Sequence, residues 1–370
     1  MKLISLEKDP NIKISKDIIY YLNPDYIFLP GENIHVKQDE IVYKNMCAAG
    51  NYKSSVSGIA YGMKKCLITN SWQDCLVIKN DFREVEKKEK RTKKKVTIKN
   101  ILSSLEREDQ VLLEKFKSQT KFDNIIITAL NDEPYVYNNI FILKENISEL
   151  LELLDELSFI YKSDKNYLVV KNVDTLIINE CLNVIGTYPN INLTLVNDEY
   201  LLERKEFIEN KLQVNGNTLY LTTVELLNLN NYLQDKDNTT LLLTLTNNII
   251  GESKIIRVKK YTLLSDILDN YFKINTDNYQ VIANGLMQGY EITSLTNFII
   301  TDDIFAINII NLPSQAEPKC INCGKCIDIC PSGVNPLSGK KIAKCLDCGL
   351  CSYICPGFVN LKEKLKEYKK

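Results

Sequence analysis

Twelve residues near the C-terminal end, CINCGKCIDICP at 320–331, recur with changes as CLDCGLCSYICP at 345–356. Both copies have the spacing C-x2-C-x2-C-x3-C-P. The first three thiolates of such a run can wrap one small inorganic cluster, while the fourth is carried away by the start of a helix. Glycine after the second cysteine suits a tight loop whose amides face the sulfurs. These eight cysteines are the strongest chemical signal in the chain.

The spacing is that of bacterial ferredoxins, in which the fourth cysteine of each run binds the other cluster. It predicts two [4Fe–4S] clusters with two sets of ligands. The sets are Cys320, Cys323, Cys326 and Cys355 for cluster 1, and Cys330, Cys345, Cys348 and Cys351 for cluster 2. Structural zinc and disulfides are the alternatives. Zinc sites use two separated pairs of ligands and disulfide scaffolds are normally short secreted chains, so neither alternative matches the runs.

Length and charge narrow the class of protein. A chain of 370 residues predicts about two to four domains. The formal net charge of −1 argues against nucleic-acid binding by overall electrostatics. The first residues lack the apolar core of a signal peptide, and no apolar stretch reaches the roughly 18 residues of a membrane helix. We therefore expect a protein of the reducing cytoplasm, at most peripheral on the cytoplasmic membrane face.

Glycine is scarce, with 14 residues in the chain. No two glycines are adjacent or two apart, so neither G-x-G-x-x-G nor a P-loop is present. The standard glycine-rich loops that bring backbone amides against a phosphate are therefore missing. The one histidine, His35, cannot by itself supply a histidine-based triad or a multi-histidine metal site. No catalytic residue is predicted.

The first 95 residues are predicted to form a small β domain that ends in a charged loop. Alternating residues between turn signals up to residue 80 are typical of a small sandwich or barrel, with Ser57-Gly58 as a hairpin tip. Residues 84–95 are dominated by Lys, Arg and Glu, which favours a solvated loop. The alternative is a basic contact for an acidic redox partner or an anionic lipid surface.

Strand and helix patterns alternate over residues 121–200, which implies a parallel sheet. In such sheets, ligands sit beyond the carboxyl ends of the strands. The first strand is followed by Asn131-Asp132-Glu133-Pro134-Tyr135, which is either a ligand loop or a plain acidic turn. The predicted elements are strands at 122–128, 167–170 and 191–196 and helices around 147–157 and 175–182.

Residues 217–312 indicate a small β-grasp module. Strand patterns at 241–246 and 254–258 flank a turn at Asn247-Asn248, which predicts a hairpin. Thr262 is expected to cap the helix that follows.

The order of these parts resembles the RnfC component of the Rnf electron-transport complex over essentially the whole chain. The strongest likeness is the run Cys348–Pro356, with Leu361 beginning the helix after it. Ser55–Ile59 is similar to the barrel-sandwich motif of that family, and Asn131–Tyr135 to its acidic loop ending Glu-Pro-Tyr. Val281–Gly289 looks like a weakened form of the Gly-Gly-Pro-Met-Met-Gly motif in its SLBB β-grasp domain.

The resemblance implies a multidomain α+β fold class with four parts. They are an N-terminal β barrel-sandwich hybrid with the charged loop (1–95), a Rossmann-like α/β domain (96–215), an SLBB-like β-grasp domain (216–312) and a ferredoxin-like helical domain with two [4Fe–4S] clusters (313–370). The stretch from Leu361 to Lys370 is expected to be a basic helix beside the second cluster.

The chain departs from that family at the cofactor loop. The family has a loop Gly-Gly-Ala-Gly-Phe-Pro-Thr that serves flavin and NADH, whereas residues 102–113 contain no glycine. Side chains there would block close approach of backbone to phosphate. Glu133 and Tyr135 are retained and are the residues that a degenerate flavin or NADH loop would use, but the preceding Glu-Cys is lost. We therefore expect no working FMN or NADH site.

The resulting hypothesis is an iron–sulfur electron-transfer subunit that passes electrons between redox partners and is not catalytic alone. The expected partners are ferredoxin, Rnf-like membrane subunits or a soluble reductase. Lys325, Asp328, Lys344 and Asp347 flank the clusters and could tune docking or potential. Two alternatives stay open. One is an NADH-oxidising flavin subunit of an Rnf-type ferredoxin:NAD oxidoreductase, and the other is an iron–sulfur scaffold or redox-sensing module.

Overall fold

The chain folds into three regions that each contain a β-sheet, followed by a C-terminal lobe of short helices. Residues 87–92 of the predicted charged loop and Asp132 of the acidic loop lie outside the residues that the structure describes. The computed structural model gives side chains from residue 19 onward and describes residues 13–86, 93–131, 133–272, 279–311 and 318–369.

The first region is a four-stranded antiparallel sheet of strand order β2-β7-β6-β3, with a two-stranded ribbon of β4 and β5. Its core includes the buried side chains Ile27, Leu29, Ala60 and Ile78. The strands of this part of the chain are β1 (Lys13–Leu22), β2 (Tyr26–Pro30), β3 (Ile41–Val42), β4 (Cys47–Ala49), β5 (Tyr52–Lys53), β6 (Gly58–Ile68) and β7 (Ser71–Asn80).

The predicted hairpin tip at Ser57-Gly58 is wrong. Gly58 is the first residue of β6 and pairs with Asn80, and the β6–β7 hairpin turns near Thr69, whose φ is 53°. A Cβ at residue 58 would lie 1.9 Å from the carbonyl oxygen of Lys79. Glycine is required there because two strands approach closely, and this requirement has the same sequence signature as a turn.

The second region is the predicted parallel sheet, which is confirmed. Its strand order is β10-β9-β8-β11, and every neighbouring pair is parallel. The buried strand β8 places Ile125 and Ile127 in one core and Ile126 in another, as alternation across a sheet requires. The elements are α1 (Ile98–Glu108), α2 (Gln110–Phe116), β8 (Asn124–Thr128), α3 (Asn138–Ile160), β9 (Lys165–Lys171), α4 (Thr175–Ile185), β10 (Ile191–Val196), α5 (Lys205–Leu212), β11 (Thr218–Thr222) and α6 (Thr223–Leu233).

This region extends past residue 215, where we predicted its end. Strand β11 pairs with β8 from Thr218 to Thr222, and α6 packs against α1 and α3. A capping box begins α6, because the Thr222 hydroxyl accepts from the Glu225 amide and the Glu225 carboxylate accepts from the Thr222 amide. The strand and helix therefore belong with the α/β sheet and not with the β-grasp module.

The third region is a six-stranded sheet of order β1-β13-β12-β16-β14-β15. The first strand, which we predicted within the N-terminal β domain, lies here and runs parallel to β13, from Lys13 opposite Glu252 to Leu22 opposite Val258. Local sequence could not reveal a partner so distant along the chain. The other elements are β12 (Thr240–Asn247), β13 (Glu252–Lys259), α7 (Leu264–Tyr271), β14 (Tyr279–Ala283), β15 (Tyr290–Glu291) and β16 (Ala306–Asn311).

The predicted β12–β13 hairpin is confirmed, but the predicted helix cap is wrong. The two strands pair antiparallel from Thr240 opposite Lys259 to Asn247 opposite Glu252. The residue before α7 is Leu263, which makes no side-chain capping bond. The Thr262 hydroxyl instead donates to the Lys259 carbonyl at 2.7 Å and so stays with the end of β13.

The C-terminal lobe contains α8 (Lys325–Asp328), a 3-10 turn (Ile342–Lys344), α9 (Leu350–Tyr353) and α10 (Leu361–Lys369). Helix α10 is the predicted basic helix. Its Leu361 and Leu365 pack with Val334 into a small core that also contains cysteines of both runs. The lobe has few apolar residues, so its own hydrophobic core contributes little to its stability.

A buried cation joins the first three regions. The Lys44 ammonium lies 2.6 Å from the Glu84 carboxylate and also pairs with Asp237 beyond α6. Glu84 in turn is 2.6 Å from Lys259 at the end of β13. The Lys44 side chain is only 9% exposed, so it depends on these carboxylates for its charge. Among the described residues, no helix combines the length and apolar character needed to cross a membrane.

Candidate iron–sulfur centre

The eight cysteines surround two cavities in the C-terminal lobe. The inner cavity is about 410 Å³ including its mouth and is lined by Cys330, Cys345, Cys348 and Cys351. The outer cavity is about 330 Å³ including its mouth and is lined by Cys320, Cys323, Cys326 and Cys355. Each cavity thus collects three cysteines from one run and the fourth from the other, which are the two sets that we predicted as cluster ligands.

The backbone makes the same turn at corresponding places in both runs. Gly324 and Gly349 have φ of 78° and 77° and stand immediately before α8 and α9. Asn322 and Asp347 also have positive φ, of 54° and 52°. Asparagine and aspartate are among the few non-glycine residues that adopt this conformation readily. We predicted no backbone role for either residue, although their matching positions in the two runs were a usable signal.

Several cysteine sulfurs have hydrogen-bond partners in the lobe. The Val334 amide donates to Cys330 Sγ at 3.2 Å, and the Asn322 amide donates to Cys320 Sγ at 3.4 Å. Amide donors of this kind stabilise thiolate ligands and tune a bound metal. The flanking residue Asp347 is paired with Lys369 at 2.5 Å, and this hydrogen bond lowers the pKa of Asp347.

The donor set fits a [4Fe–4S] cluster chemically. Burial raises the pKa of Cys326 and Cys348, and burial with the repulsion of neighbouring thiolates raises that of Cys351 to about 12. Four thiolates gathered in so dry a space need a strongly positive group at their centre, and metal binding then releases their protons. In the described ranges, no three or more His, Cys, Asp or Glu side chains are arranged to hold a single metal ion.

The inner cavity is built against the α/β region. The Tyr200 hydroxyl donates to the carbonyl of Cys348, and the Arg204 guanidinium donates to the carbonyl of Leu346 at 2.7 Å. Both donors lie between β10 and α5, beyond the carboxyl end of a parallel strand. That end of a sheet is where ligands normally sit. Here it receives the wall of the inner cavity.

The region of the six-stranded sheet supplies the other contact of that wall. The carbonyl oxygen of Met287 lies so near Gly349 that a Cβ there would be 2.0 Å away. The Lys362 ammonium, at the edge of the inner cavity, donates to the Gln288 carbonyl at 3.2 Å. The loop within Val281–Gly289, which looks like a weakened form of the family's glycine motif, therefore touches the cysteine-rich lobe directly.

Glu133 holds that loop in place. Its carboxylate accepts from the Met287 amide at 2.9 Å and from the Gln288 amide at 2.8 Å, and Gly285, with φ of 101°, leaves room for it. The side chain is 8% exposed. Glu133 was predicted at a degenerate flavin or NADH loop, and the structure finds it in a contact between two regions of the same chain.

The second residue predicted for that loop, Tyr135, is also buried. It has a positive φ of 62°, and its carbonyl accepts from the Thr246 hydroxyl at 3.4 Å. Residues 102–113, where the resembling family has its glycine-rich loop, lie in α1 and α2 and the junction between them. Of the cysteines outside the two runs, Cys66, Cys75 and Cys181 are buried free thiols, whereas Cys47 is exposed.

Comparison with known proteins agrees with the chemistry of the lobe. The chain matches the 4Fe-4S binding domain family at residues 317–333 and 342–362. Together with the cysteine-lined cavities, this match defines an iron–sulfur protein of electron transport. The predicted fold class is confirmed as a mixed α/β multidomain chain with a ferredoxin-like C-terminal lobe. The barrel-sandwich, Rossmann-like and SLBB assignments stay predictions.

One relative identifies the class more closely. The RnfC component of the ion-translocating oxidoreductase complex of Haemophilus influenzae is 22% identical over 244 residues. The predicted resemblance is thereby confirmed, and the chain is a divergent relative of that component. The match covers 59% of this chain and 28% of the relative, so the chain spans less than a third of the relative's length.

Solved structures give more distant likenesses. An NAD+-reducing [NiFe]-hydrogenase in its H2-reduced state superposes with a TM-score of 0.48 at 10% identity, over 58% of this chain and 47% of that one. The air-oxidised state gives a TM-score of 0.46 at 10% identity, over 70% and 49%.

Proposed function

We propose that the chain is an electron-transfer subunit that holds two [4Fe–4S] clusters, one in each cysteine-lined cavity. The observation that carries the proposal is the division of the eight cysteines into two sets of four, each around one cavity and each drawn from both runs. A bound cluster takes up and releases one electron at a time. The remaining parts of the function depend on the residues around the two cavities.

The cysteines would hold the two clusters, and the neighbouring side chains would shield them from water. Each run contributes to both cavities, so only three residues separate Cys326 from Cys330 and Cys351 from Cys355. The two cavities are therefore adjacent, and α10 lies along both, with Leu361 at the outer one and Leu365 at the inner one. A short separation favours electron transfer between the cavities, and the apolar wall keeps water away from the buried sulfurs.

We further propose that the electrons come from another protein and not from NADH. The stretch at residues 102–113 is helical and has no glycine, so backbone amides are not free to face a phosphate there. Glu133 is already engaged with two backbone amides. The chain would then work on the cytoplasmic side as a peripheral subunit of an Rnf-like membrane complex, or as a carrier that feeds a soluble reductase.

The test is anaerobic reconstitution of the whole chain followed by metal, sulfide and flavin analysis. We expect about eight irons per chain, a brown chromophore bleached by dithionite, and no flavin released on denaturation. Cys323→Ser and Cys348→Ser should each remove about four irons, one variant for each cavity. Zinc in place of iron, with absorbance that ignores dithionite, would overturn the proposal, and yellow flavin with bleaching by NADH would replace it with the flavin alternative.

A further inference from the structure

The edge of the outer cavity carries two large apolar side chains in water. Ile321 lines the cavity and is 63% exposed, and Phe358 is 58% exposed. Ile321 belongs to the first run and Phe358 follows the second, and the segments beside them are tied together because the Lys319 amide donates to the Gly357 carbonyl at 3.1 Å. At Gly357 a Cβ would lie 2.1 Å from the Lys319 carbonyl oxygen, so the two segments are in close contact.

Four lysines lie on the chain segments that line the outer cavity or adjoin its lining residues. Lys319 and Lys325 flank the first cysteines, and Lys340 and Lys341 follow Leu337, which also lines the outer cavity. All four are exposed, and within the described ranges none of them forms an ion pair. We call Lys319, Ile321, Lys325, Lys340, Lys341 and Phe358 the outer rim.

Two lysines near the inner cavity are engaged by contrast, although Lys344, which precedes Cys345, is exposed. Lys362 donates to Gln288, and Lys369 pairs with Asp347. The outer rim thus concentrates uncompensated positive charge on a chain whose formal net charge is −1. Asp328, two residues beyond Cys326, offsets one of its four charges and leaves the rim positive.

We propose that the outer rim is the docking surface for a small acidic one-electron carrier protein. This inference rests on the proposed function, since it assumes a cluster in the outer cavity. Cys320 and Cys323 of the outer cavity are exposed, whereas the inner cavity has no exposed cysteine, since Cys330 and Cys345 are half-buried and Cys348 and Cys351 buried. A carrier therefore comes closest to the sulfurs at the outer cavity. In the transfer the carrier loses one electron and the chain gains one, and no bond is made or broken.

The composition of the rim suits such a partner. Complementary charge steers two proteins together and raises their association rate, an effect that salt screens. An apolar centre excludes water when the partners meet, and redox encounters need only a small interface. A lipid surface would also attract lysines and apolar side chains, but it would supply no electron at the one place where the cysteines are accessible.

The experiment measures the rate at which a reduced acidic two-[4Fe–4S] bacterial ferredoxin transfers electrons to the reconstituted full chain, by anaerobic stopped flow. Lys319→Glu with Lys325→Glu should lower the second-order rate constant at least tenfold at low salt. The matched control is Lys162→Glu with Lys165→Glu. Both of these lysines are exposed, and Lys165 begins β9, at the end of the sheet opposite to the strand end that meets the lobe.

The apolar part of the rim has its own matched pair. Phe358→Ser should lower the same rate constant severalfold, while Phe159→Ser, which alters a side chain 84% exposed at the end of α3, should not. Reduction by dithionite, a small ion that needs no docking, should be the same in wild type and in every variant. The wild-type rate with ferredoxin should fall as salt rises, and the charge-reversed variant should lose that dependence.

Two results would overturn the proposal. One is an unchanged ferredoxin rate in the rim variants. The other is loss of binding to vesicles of anionic phospholipid in those variants while the ferredoxin rate stays the same, which would make the rim a membrane contact. A wild-type chain without iron would overturn the proposed function as well, and iron analysis before the kinetics distinguishes that failure from failure of the rim alone.

Discussion

The two cavities have the same cysteine spacing and different surroundings. Gly324 at the outer cavity and Gly349 at the inner cavity have nearly the same φ, yet a Cβ would meet nothing within 4 Å at Gly324 and the Met287 carbonyl at Gly349. The outer cavity opens to solvent, whereas Tyr200, Arg204 and the loop at Met287 close around the inner one. Repeated motifs therefore specify equal cysteine sets, and distant residues give each set different surroundings.

Replacing one ligand in each cavity should have the largest effect and should separate the two sites. We expect Cys348→Ser to lose about four irons and also to loosen the lobe from the α/β region, because a lost cluster would no longer hold the backbone whose carbonyl accepts from Tyr200. Cys323→Ser should lose the same amount of iron and leave that contact intact. Limited proteolysis of the lobe measures the difference, and equal protection of the two variants would contradict it.

Alanine at the paired glycines should give the next largest difference. Both substitutions place a side chain at positive φ, at a cost of about 1 kcal/mol. Gly349→Ala must in addition displace the Met287 backbone, so we expect a total of about 3 kcal/mol.

Gly324→Ala is the matched control for that substitution, because its Cβ would enter open space. Thermal denaturation and the rate of iron release to a chelator should both rank wild type, Gly324→Ala and Gly349→Ala in that order of stability. Equal stability of the two variants would mean that the wall of the inner cavity accommodates the added methyl group at no cost in free energy.

Removing the Glu133 carboxylate should weaken the inner cavity only. Glu133→Ala leaves the Met287 and Gln288 amides without their acceptor, which should cost about 1–3 kcal/mol, and Glu133→Gln should cost less because its amide oxygen still accepts. Hydrogen exchange at residues 286–289 is the direct measurement.

Asp123→Ala is the control for Glu133, since Asp123 also accepts from a backbone amide, that of Asn217, but within the α/β region. It should leave exchange in the Met287 loop unchanged. Faster exchange at the outer cavity in Glu133→Ala would break the distinction between the two cavities.

The smallest effect is expected from a site that lines neither cavity. Lys44→Ala should lower the free energy of unfolding by about 1–2 kcal/mol at neutral pH without changing iron content. Burial alone would raise the pKa of Glu84 and of Asp237. Hydrogen bonds from lysine outweigh burial and hold the two pKa values below the ordinary 4.5 and 3.8. Their stabilisation is present above those values and is lost as pH falls through the lowered pKa.

The difference between wild type and Lys44→Ala should therefore shrink below about pH 4. Urea denaturation at several pH values measures it. Lys65→Ala removes an exposed lysine and should have no such effect at any pH. Loss of iron from Lys44→Ala would show that the cavities depend on more than their own walls.

The cysteine sets were predictable because their spacing is local. Spacing within a run determines which three thiols can meet, and the structure places the cysteines of each predicted set around one cavity, while their role as cluster ligands stays a prediction. The parallel sheet was predictable for a similar reason, since strand and helix periods are read within a short window. The same local pattern led to the wrong prediction of a hairpin tip at Gly58, because close backbone approach and a turn both demand glycine.

The contacts that make the two cavities different were not predictable. Glu133 reaches a loop more than 150 residues away, and Tyr200 reaches Cys348 across a similar distance. No periodicity records which loop an acidic side chain will meet. The pairing of β1 with β13 was missed for this reason as well, since a strand pattern does not say which sheet the strand will join.

That pairing bears on how the chain is made. A ribosome adds about 5–20 residues each second. Residue 13 therefore leaves it on the order of ten or more seconds before residue 252, the opposite position on β13. During this interval the first strand has no partner, and β13 later emerges with one edge open for it. The six-stranded sheet closes only when both ends of this long segment meet, so a nascent chain stalled before residue 252 should still expose the first strand to protease.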